Sequence, residues 1–340
     1  MSEDRYGLDI GTCNIRLSSV NTGKFISEKN VIAIKDDKYI IGYGNDAYEM
    51  FEKSPSNIEV VFPVHDSVIS RSMHMQYILE YIYKKMHGGK MPKNGIFLIS
   101  VPSDTTEVEK RAFHELVANS KLHARSISMV EKCIADSVGC GIDISSPKGN
   151  FLVNIGADTT DISVISLGSI VLNRTVKIAG NKFNEAIISA VKQSEQKLIG
   201  MKTAEQLKVN IADLSEDAET KELTVFARNM ATGLPVRTAI RSDIVNKALK
   251  EALRPLLDIV KNLLEKTPPE LSADVIESGI YLQGGSANIP NIGPLFAHET
   301  GVKVKLLKDP GNNTIRGCTT IISSSLYDSV RYIPEEKEYN

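Results

Sequence analysis

The sequence predicts an α/β fold, and three observations carry that prediction. Two strand–turn–strand units of one design stand about 145 positions apart. Continuous apolar runs of strand length alternate with segments of helical spacing. The 340 residues are 42% hydrophobic and 24% charged, a globular composition. At roughly 150 residues per domain, the length suggests about two domains.

The elements follow in chain order. Residues 6–20, YGLDIGTCNIRLSSV, read as strand, tight glycine turn and strand, because the chain after Gly11 returns to extended alternation rather than opening a helix. Val68–Met86 has helical spacing (Ile69, Met73, Tyr77, Ile78, Tyr81, Ile82) and stops at His87-Gly88-Gly89. Ile96–Val101 is an apolar strand ended by Pro102. Ser103–Asn119 reads as a helix whose capping signature is Asp104 followed by Glu107. Residues 151–167, FLVNIGADTTDISVISL, repeat the opening design. A duplicated architecture with one phosphate-sized loop from each half explains the match; two unrelated hairpins are the alternative. Asn184–Leu198 is helical, as is Ile244–Leu264, whose apolar stripe is interrupted by Pro255 and which ends at Thr267-Pro268-Pro269. Ser215–Lys221 is a charged exposed loop, and the strand Gly279–Leu282 runs straight into Gly284-Gly285-Ser286.

Several function classes are disfavoured. A net charge of −2 gives no electrostatic reason to expect nucleic acid. No apolar run approaches the ~20 residues of a bilayer span, and the opening Met1–Arg5 leads into a strand pattern without the features of a signal peptide. The four cysteines (Cys13, Cys133, Cys140, Cys318) lack CxxC pairing and read as reduced thiols of a cytoplasmic protein. Cys133 and Cys140 share a helical face, where core packing outweighs metal binding, since no His or second Cys pair completes a zinc set.

A phosphate is held by backbone N–H groups that approach it closely, and glycine permits that approach. Three glycine turns qualify: Gly11–Asn14, Gly156–Thr159 and Gly284-Gly285-Ser286. Tight turns use glycine everywhere, so each is weak alone; three, each leaving an apolar strand, say more. None is a G-x-x-x-x-G-K-[ST] loop or a G-x-G-x-x-G loop opening a helix, which disfavours P-loop NTPases and dinucleotide dehydrogenases.

This order of loops resembles the actin superfamily, and within it the bacterial actins of the MreB family. The resemblance rests on GLDIGTCN (7–14), GNDAYEM (44–50), PVHDSVI (63–69), VPSDTTEVEKRA (101–112) and DISVISLGSIV (161–171). It continues through IGMKTAEQLK (199–208), ATGLP (231–235), LEKTPPELSADVIESGIYLQGG (264–285) and ETGVKV (299–304). It implies an actin-like ATPase fold: two lobes, each with a ribonuclease H-like core, in four subdomains. Residues 1–33, 67–145 and 321–340 would form subdomain IA and 34–66 subdomain IB; 146–180 and 245–320 would form IIA, and 181–244 IIB. It further implies ATP with Mg²⁺ in the interlobe cleft, head-to-tail filaments, cell-shape determination in a cytoplasmic, membrane-associated setting, and MreB paralogues and cell-wall elongation membrane proteins as partners. Carried over by residue, Thr12, Cys13 and Asn14 fall in the first phosphate loop, and Gly156, Ala157, Asp158 and Thr159 in the second. Gly180, Glu205 and Lys208 flank the nucleotide, Gly284, Gly285, Ser286 and Ala287 form the third loop, and Asp9 faces the metal-bound phosphates.

The chain departs from the family at several of these positions. The family's Asp-Ile-Gly-Gly-Gly-Thr-Thr is here Asn154-Ile155-Gly156-Ala157-Asp158-Thr159-Thr160. Asn154 replaces an Asp that positions hydrated Mg²⁺, an ion that prefers carboxylate and phosphate oxygens. Asp158 replaces a glycine; pointed inward at about 5 Å, with a dielectric near 20, it would repel each phosphate charge by roughly 3 kcal/mol, and pointed outward it would do nothing. Glu131-Lys132-Cys133 stands for Glu-Glu-Pro, whose second Glu orients the attacking water. Lys132 cannot accept that proton near neutral pH without a large fall in its pKa. Gly180-Asn181-Lys182 stands for Gly-Asp-Glu, and Lys208-Val209-Asn210 for Lys-x-Glu. Ordinary drift would explain these changes; so would a cleft that binds nucleotide with less need of Mg²⁺ and hydrolyses it poorly.

The family's membrane loop corresponds to His87–Lys93, where Met91 is the one large apolar side chain, beside Lys90 and Lys93. One buried side chain contributes only ~1.5–3 kcal/mol, so weak peripheral binding, repeated along a filament, is the expectation. Two alternatives remain open: a non-hydrolysing scaffold that co-assembles with an active paralogue, and a sugar-kinase-like phosphotransferase, for which no insertion between 33 and 66 or 181 and 244 is long enough.

Overall fold

Residues 4–334 are described by a computed structural model. The first three and last six residues of the expected subdomain IA lie outside the described residues. The chain divides into two units. One takes the residues up to Pro147, Ile165–Asn173 and the chain from Asn312 onward; the other takes Lys148–Val164 and Arg174–Gly311.

The first unit is built on β1 (Arg5–Ile10), β2 (Asn14–Ser19) and β3 (Phe25–Lys29). It adds a small sheet of β4 (Ile32–Lys35), β5 (Tyr39–Tyr43) and β6 (Ile58–Val61), with α1 (Gly44–Met50). The ribbon β7 (Val64–His65) and β8 (Val68–Ile69) leads into α2 (Ser72–Met86), β9 (Ile96–Val101), α3 (Glu107–Ala118), β10 (Ser126–Glu131) and α4 (Lys132–Gly139). The main sheet runs β10-β9-β1-β2-β3, antiparallel within the hairpin and parallel at β1–β9–β10. Tyr6, Leu8, Ile15, Leu17, Phe97 and Ile99 bury its faces against Met75, Ile78 and Phe113. The C-terminal helix Asn313–Ser323 crosses α4 at two glycines. A side chain at Gly139 would collide with the Asn313 carbonyl, and one at Gly317 with the Ala135 carbonyl.

The second unit holds β11 (Asn150–Ile155), most of β12 (Thr160–Ser166) and the end of β13 (Ser169–Val176), whose residues within Ile165–Asn173 count with the first unit, and then α5 (Gly180–Glu195), β14 (Lys197–Leu198), α6 (Met201–Ile211), β15 (Glu222–Asn229) and β16 (Pro235–Arg241). It continues with α7 (Ser242–Lys266), α8 (Pro269–Ser278), β17 (Ile280–Gln283), α9 (Ile292–Thr300) and β18 (Val304–Leu306). Its main sheet runs β13-β12-β11-β17-β18, with β11, β17 and β18 parallel. Read from the other edge, β18-β17-β11-β12-β13 has the order of β10-β9-β1-β2-β3. The hairpin turns match as well: the Gly11 N–H donates to the Asn14 carbonyl at 3.0 Å and the Gly156 N–H to the Thr159 carbonyl at 2.9 Å. The duplication expected from the two strand–turn–strand units is therefore present in sheet order and in turn hydrogen bonding.

Some local expectations need correction. Val68–Ile69 pair as β8 with β7, so α2 starts only at Ser72. The capping box of α3 is Thr106 with Glu109, not Asp104 with Glu107: Thr106 is extended, its Oγ1 accepts from the Glu109 N–H at 3.3 Å, and the Glu109 carboxylate accepts from the Thr106 N–H at 2.8 Å. Helix α5 opens at Gly180, four residues before the expected Asn184. Helix α7 is not interrupted by Pro255 but runs through it. Pro255 removes the helical donor to the Glu251 carbonyl, and both residues are on the exposed side of the helix, where water has access. Its stripe Val245, Leu249, Leu253, Leu256 and Val260 is fully buried.

Candidate functional site

In the second unit three backbone segments meet at one carbonyl. The turn after β11 presents Gly156, whose oxygen accepts the N–H of Gly180 at 3.1 Å and the hydroxyl of Ser286 at 3.0 Å. One residue on, the Ala157 carbonyl accepts the Asn181 N–H at 2.7 Å. These bonds tie the phosphate-sized turn to the start of α5 and to the loop after β17. Gly284 takes φ +90°, and a side chain there would strike the Ile155 carbonyl and Asn154 Oδ1. At Gly180 a Cβ would lie 2.9 Å from Ser286 Oγ, whereas around Gly285 the space is open. Glycine is thus required where loop meets loop, and the third loop keeps one face of bare backbone.

A buried cation supports this junction from α6. Lys208, 5% exposed, donates to the Gly180 carbonyl at 3.2 Å and to Glu205 Oε2 at 2.6 Å. Asn184 Nδ2 donates to the same carboxylate oxygen at 2.8 Å. Pairing of this kind is the condition for keeping a lysine buried. Asp158, the departure from the expected glycine, has its Oδ1 held by Asn181 Nδ2 at 2.5 Å. Thr159 is buried, and Ala287 lies in the short 3₁₀ turn Gly285–Asn288. Asn154 ends up in β11 in register with Gln283 of β17.

The first unit carries the other predicted residues. Asp9 sits near the end of β1 with both oxygens engaged: Arg16 Nη1 donates to Oδ2 at 3.0 Å and Ser100 Oγ to Oδ1 at 3.1 Å. Thr12, Cys13 and Asn14 lie at the turn into β2, braced from behind by Asn30, which donates Nδ2–H to the Gly11 carbonyl at 2.8 Å and N–H to the Cys13 carbonyl at 2.9 Å. Lys132 is the first residue of α4. Its neighbour Glu131 is occupied structurally, accepting Lys110 at 2.9 Å and the Tyr332 hydroxyl at 2.7 Å on one oxygen. Met91 is half-buried and packs on the first unit's core, leaving Lys90 and Lys93 exposed. Among the described residues no three His, Cys, Asp or Glu side chains gather as a metal site.

Arg16, Ser100, Asn30 and Asn184 were not expected. Arg16 was within reach, because the hairpin register that pairs Ile10 with Ile15 places it opposite Asp9. Asn184 stands one helical turn after Gly180, a relation visible only once α5 is known to start there. Ser100 and Asn30 come from other strands and segments, and nothing local marks them.

The sequence profile of the MreB/Mbl protein family matches residues 3–328. The chain belongs to the MreB/Mbl family. It is 32% identical over 332 residues to the cell shape-determining protein Mbl of Bacillus subtilis, covering 97% of this chain and 98% of that one. It is 33% identical over 323 residues to the cell shape-determining protein MreB of Escherichia coli, covering 93% and 92%. Among solved structures, MreB5 of Spiroplasma citri bound to AMPPNP superposes with a TM-score of 0.91 at 31% identity, covering 97% of this chain and 98% of that chain. The same protein bound to ADP gives 0.90. A more distant chain, MamK, solved as a double helical filament, shares the fold at a TM-score of 0.78 and 21% identity. The fold is therefore the actin-like α/β fold of the MreB/Mbl family.

Proposed function

We propose that this chain binds ATP, assembles head to tail into filaments and acts in cell-shape determination, with weak hydrolysis. The observation that carries the nucleotide reading is the junction at the Gly156 carbonyl. Gly180, Ser286 and Lys208 fix a glycine turn and a diglycine loop against each other, and the second loop keeps exposed backbone at Gly285. Backbone N–H groups held this way suit a phosphate. The AMPPNP and ADP complexes of the Spiroplasma relative support the same ligand class, and MamK, which shares the fold, is solved as a filament.

On this reading the nucleotide-binding residues of the second unit are Gly156–Thr159, Gly180, Glu205, Lys208 and Gly284–Ala287, and those of the first are Asp9 and Thr12–Asn14. Mg²⁺, bound with the phosphates, would neutralise their charge. Of the residues the resemblance points to, Asp9 of the first unit is already paired with Arg16, and position 154 of the second unit carries an amide, a weaker ligand for this ion than a carboxylate. Lys132 stands where the water-orienting Glu is expected and supplies no base, a role worth about 10²–10⁴ in rate. Weak hydrolysis follows from the second point more than the first, since binding tolerates a poor metal site better than catalysis tolerates a missing base.

Phosphate release measured beside the Bacillus Mbl tests this reading. The chain should turn over more slowly, Lys132→Glu should raise its rate by about tenfold or more, and light scattering should rise on adding ATP. Turnover equal to that of Mbl and unchanged in Lys132→Glu would contradict the weak-hydrolysis claim. Absence of ATP-dependent scattering, with or without an active paralogue, would contradict the filament claim. A membrane role through Met91 belongs to the same proposal; co-sedimentation of filaments with anionic liposomes, lost in Met91→Ser, is its check.

A further inference from the structure

Four thiols are present and none forms a disulfide. Three sit where sulfur chemistry is suppressed. Burial, and then the nearby Asp9 and Asp136 charges, pushes the fully buried Cys318 thiol well up. Burial and Asp136 push Cys140 up to about 12. Cys133 is 3% exposed and its sulfur accepts the Ser103 hydroxyl at 3.1 Å. The fourth differs in having a cation against its sulfur. Cys13 is partly exposed, lies in the Gly11–Asn14 turn, and has the Lys29 ammonium 3.1 Å from its sulfur. Lys29 is itself held in place by the Tyr48 ring, 4.8 Å from its nitrogen.

A second observation marks the same turn. Asn30 is fully buried and both of its nitrogens serve the turn, through the Gly11 and Cys13 carbonyls. Its side-chain oxygen has no hydrogen-bond partner among the described residues. A buried acceptor without a donor is costly, and it would suit an added O–H group at this turn.

We propose that Cys13 is an oxidative modification site, activated by Lys29 and taking hydroperoxides as co-reactant. The sulfur, as thiolate, attacks the outer oxygen of the hydroperoxide. An S–O bond forms and the O–O bond breaks; sulfur is oxidised by two electrons to sulfenic acid, which keeps the outer oxygen's hydrogen. The peroxide is reduced to an alkoxide or hydroxide, which takes a proton from water. The ammonium stabilises negative charge on the sulfur up to the transition state and leaves unchanged. The step itself needs no nucleotide, although Cys13 also belongs to the turn proposed above to bind one.

The test uses the full-length reduced protein. One arm treats it with hydrogen peroxide in the presence of dimedone, the other with iodoacetamide at neutral pH, and peptide mass spectrometry reads both. Cys13 should label about tenfold or more faster than each of the other three. Lys29→Met should slow Cys13 labelling several-fold with an unchanged circular dichroism spectrum. Lys29→Arg, which keeps a cation, should retain most of the rate, and Cys13→Ser should abolish the dominant dimedone adduct. Equal Cys13 rates in wild type and Lys29→Met, equal rates among the four thiols, or no dimedone adduct at Cys13 would each overturn the proposal.

Discussion

At the scale of single residues, departures from the family pattern can compensate one another. Asp158 and Asn181 are coupled. Where the family has a glycine and an aspartate, this chain has a carboxylate and the amide that holds it at 2.5 Å. Had the family's aspartate been kept at 181, two carboxylates would face each other beside the phosphate turn. Asn181→Asp should therefore destabilise the second unit by about 1–3 kcal/mol, measured by urea denaturation, and adding Asp158→Gly should recover most of the loss. Additive effects in that double-mutant cycle would show the pair to be uncoupled. Lys132 is a departure of another kind, a change of charge at the start of α4, next to a Glu131 whose Oε1 accepts from Lys110 and Tyr332. The sequence reveals which residues change but not which of them touch. That is why drift and chemical purpose look alike at position 158 in the sequence, where the contact with Asn181 Nδ2 is invisible.

At the scale of elements, local rules read well where the signal is local and poorly where another segment decides. The strand Ile96–Val101 and the stripe of α7 were legible from their patterns alone. The start of α2 was not, because Val68–Ile69 has helical spacing yet pairs with Val64–His65. Two capping signatures overlap before α3, and the one with an extended N-cap residue and a reciprocal bond is the one used, Thr106 with Glu109. Thr106→Ala should cost about 1 kcal/mol in chemical denaturation. The crossing of α4 with the C-terminal helix was invisible in the sequence, since Gly139 and Gly317 are 178 positions apart (317 − 139) and neither stands in a turn motif. Gly317→Leu should abolish that approach and lower the thermal midpoint of the first unit; an unchanged midpoint would show that the helices can separate at no cost.

At the scale of the molecule, the repeated design seen in two short stretches of sequence proves to be a repeated sheet. The order β10-β9-β1-β2-β3 recurs as β18-β17-β11-β12-β13, with the same turn hydrogen bond after each central strand. Such a duplication was legible because both hairpins keep strand, glycine and polar turn in one order. The members of the candidate site outside the turns were less so: Lys208 and Glu205 reach it only because α6 packs beside α5, and the family resemblance, not their spacing, pointed to them. The most direct measurement of the central claim is a calorimetric titration of AMPPNP into the full-length protein and into Lys208→Gln. Saturable heat at submillimolar nucleotide in the wild type, weakened about tenfold or more in a folded Lys208→Gln, is the predicted result. No saturable heat up to millimolar nucleotide, or equal affinity in the two proteins, would contradict it.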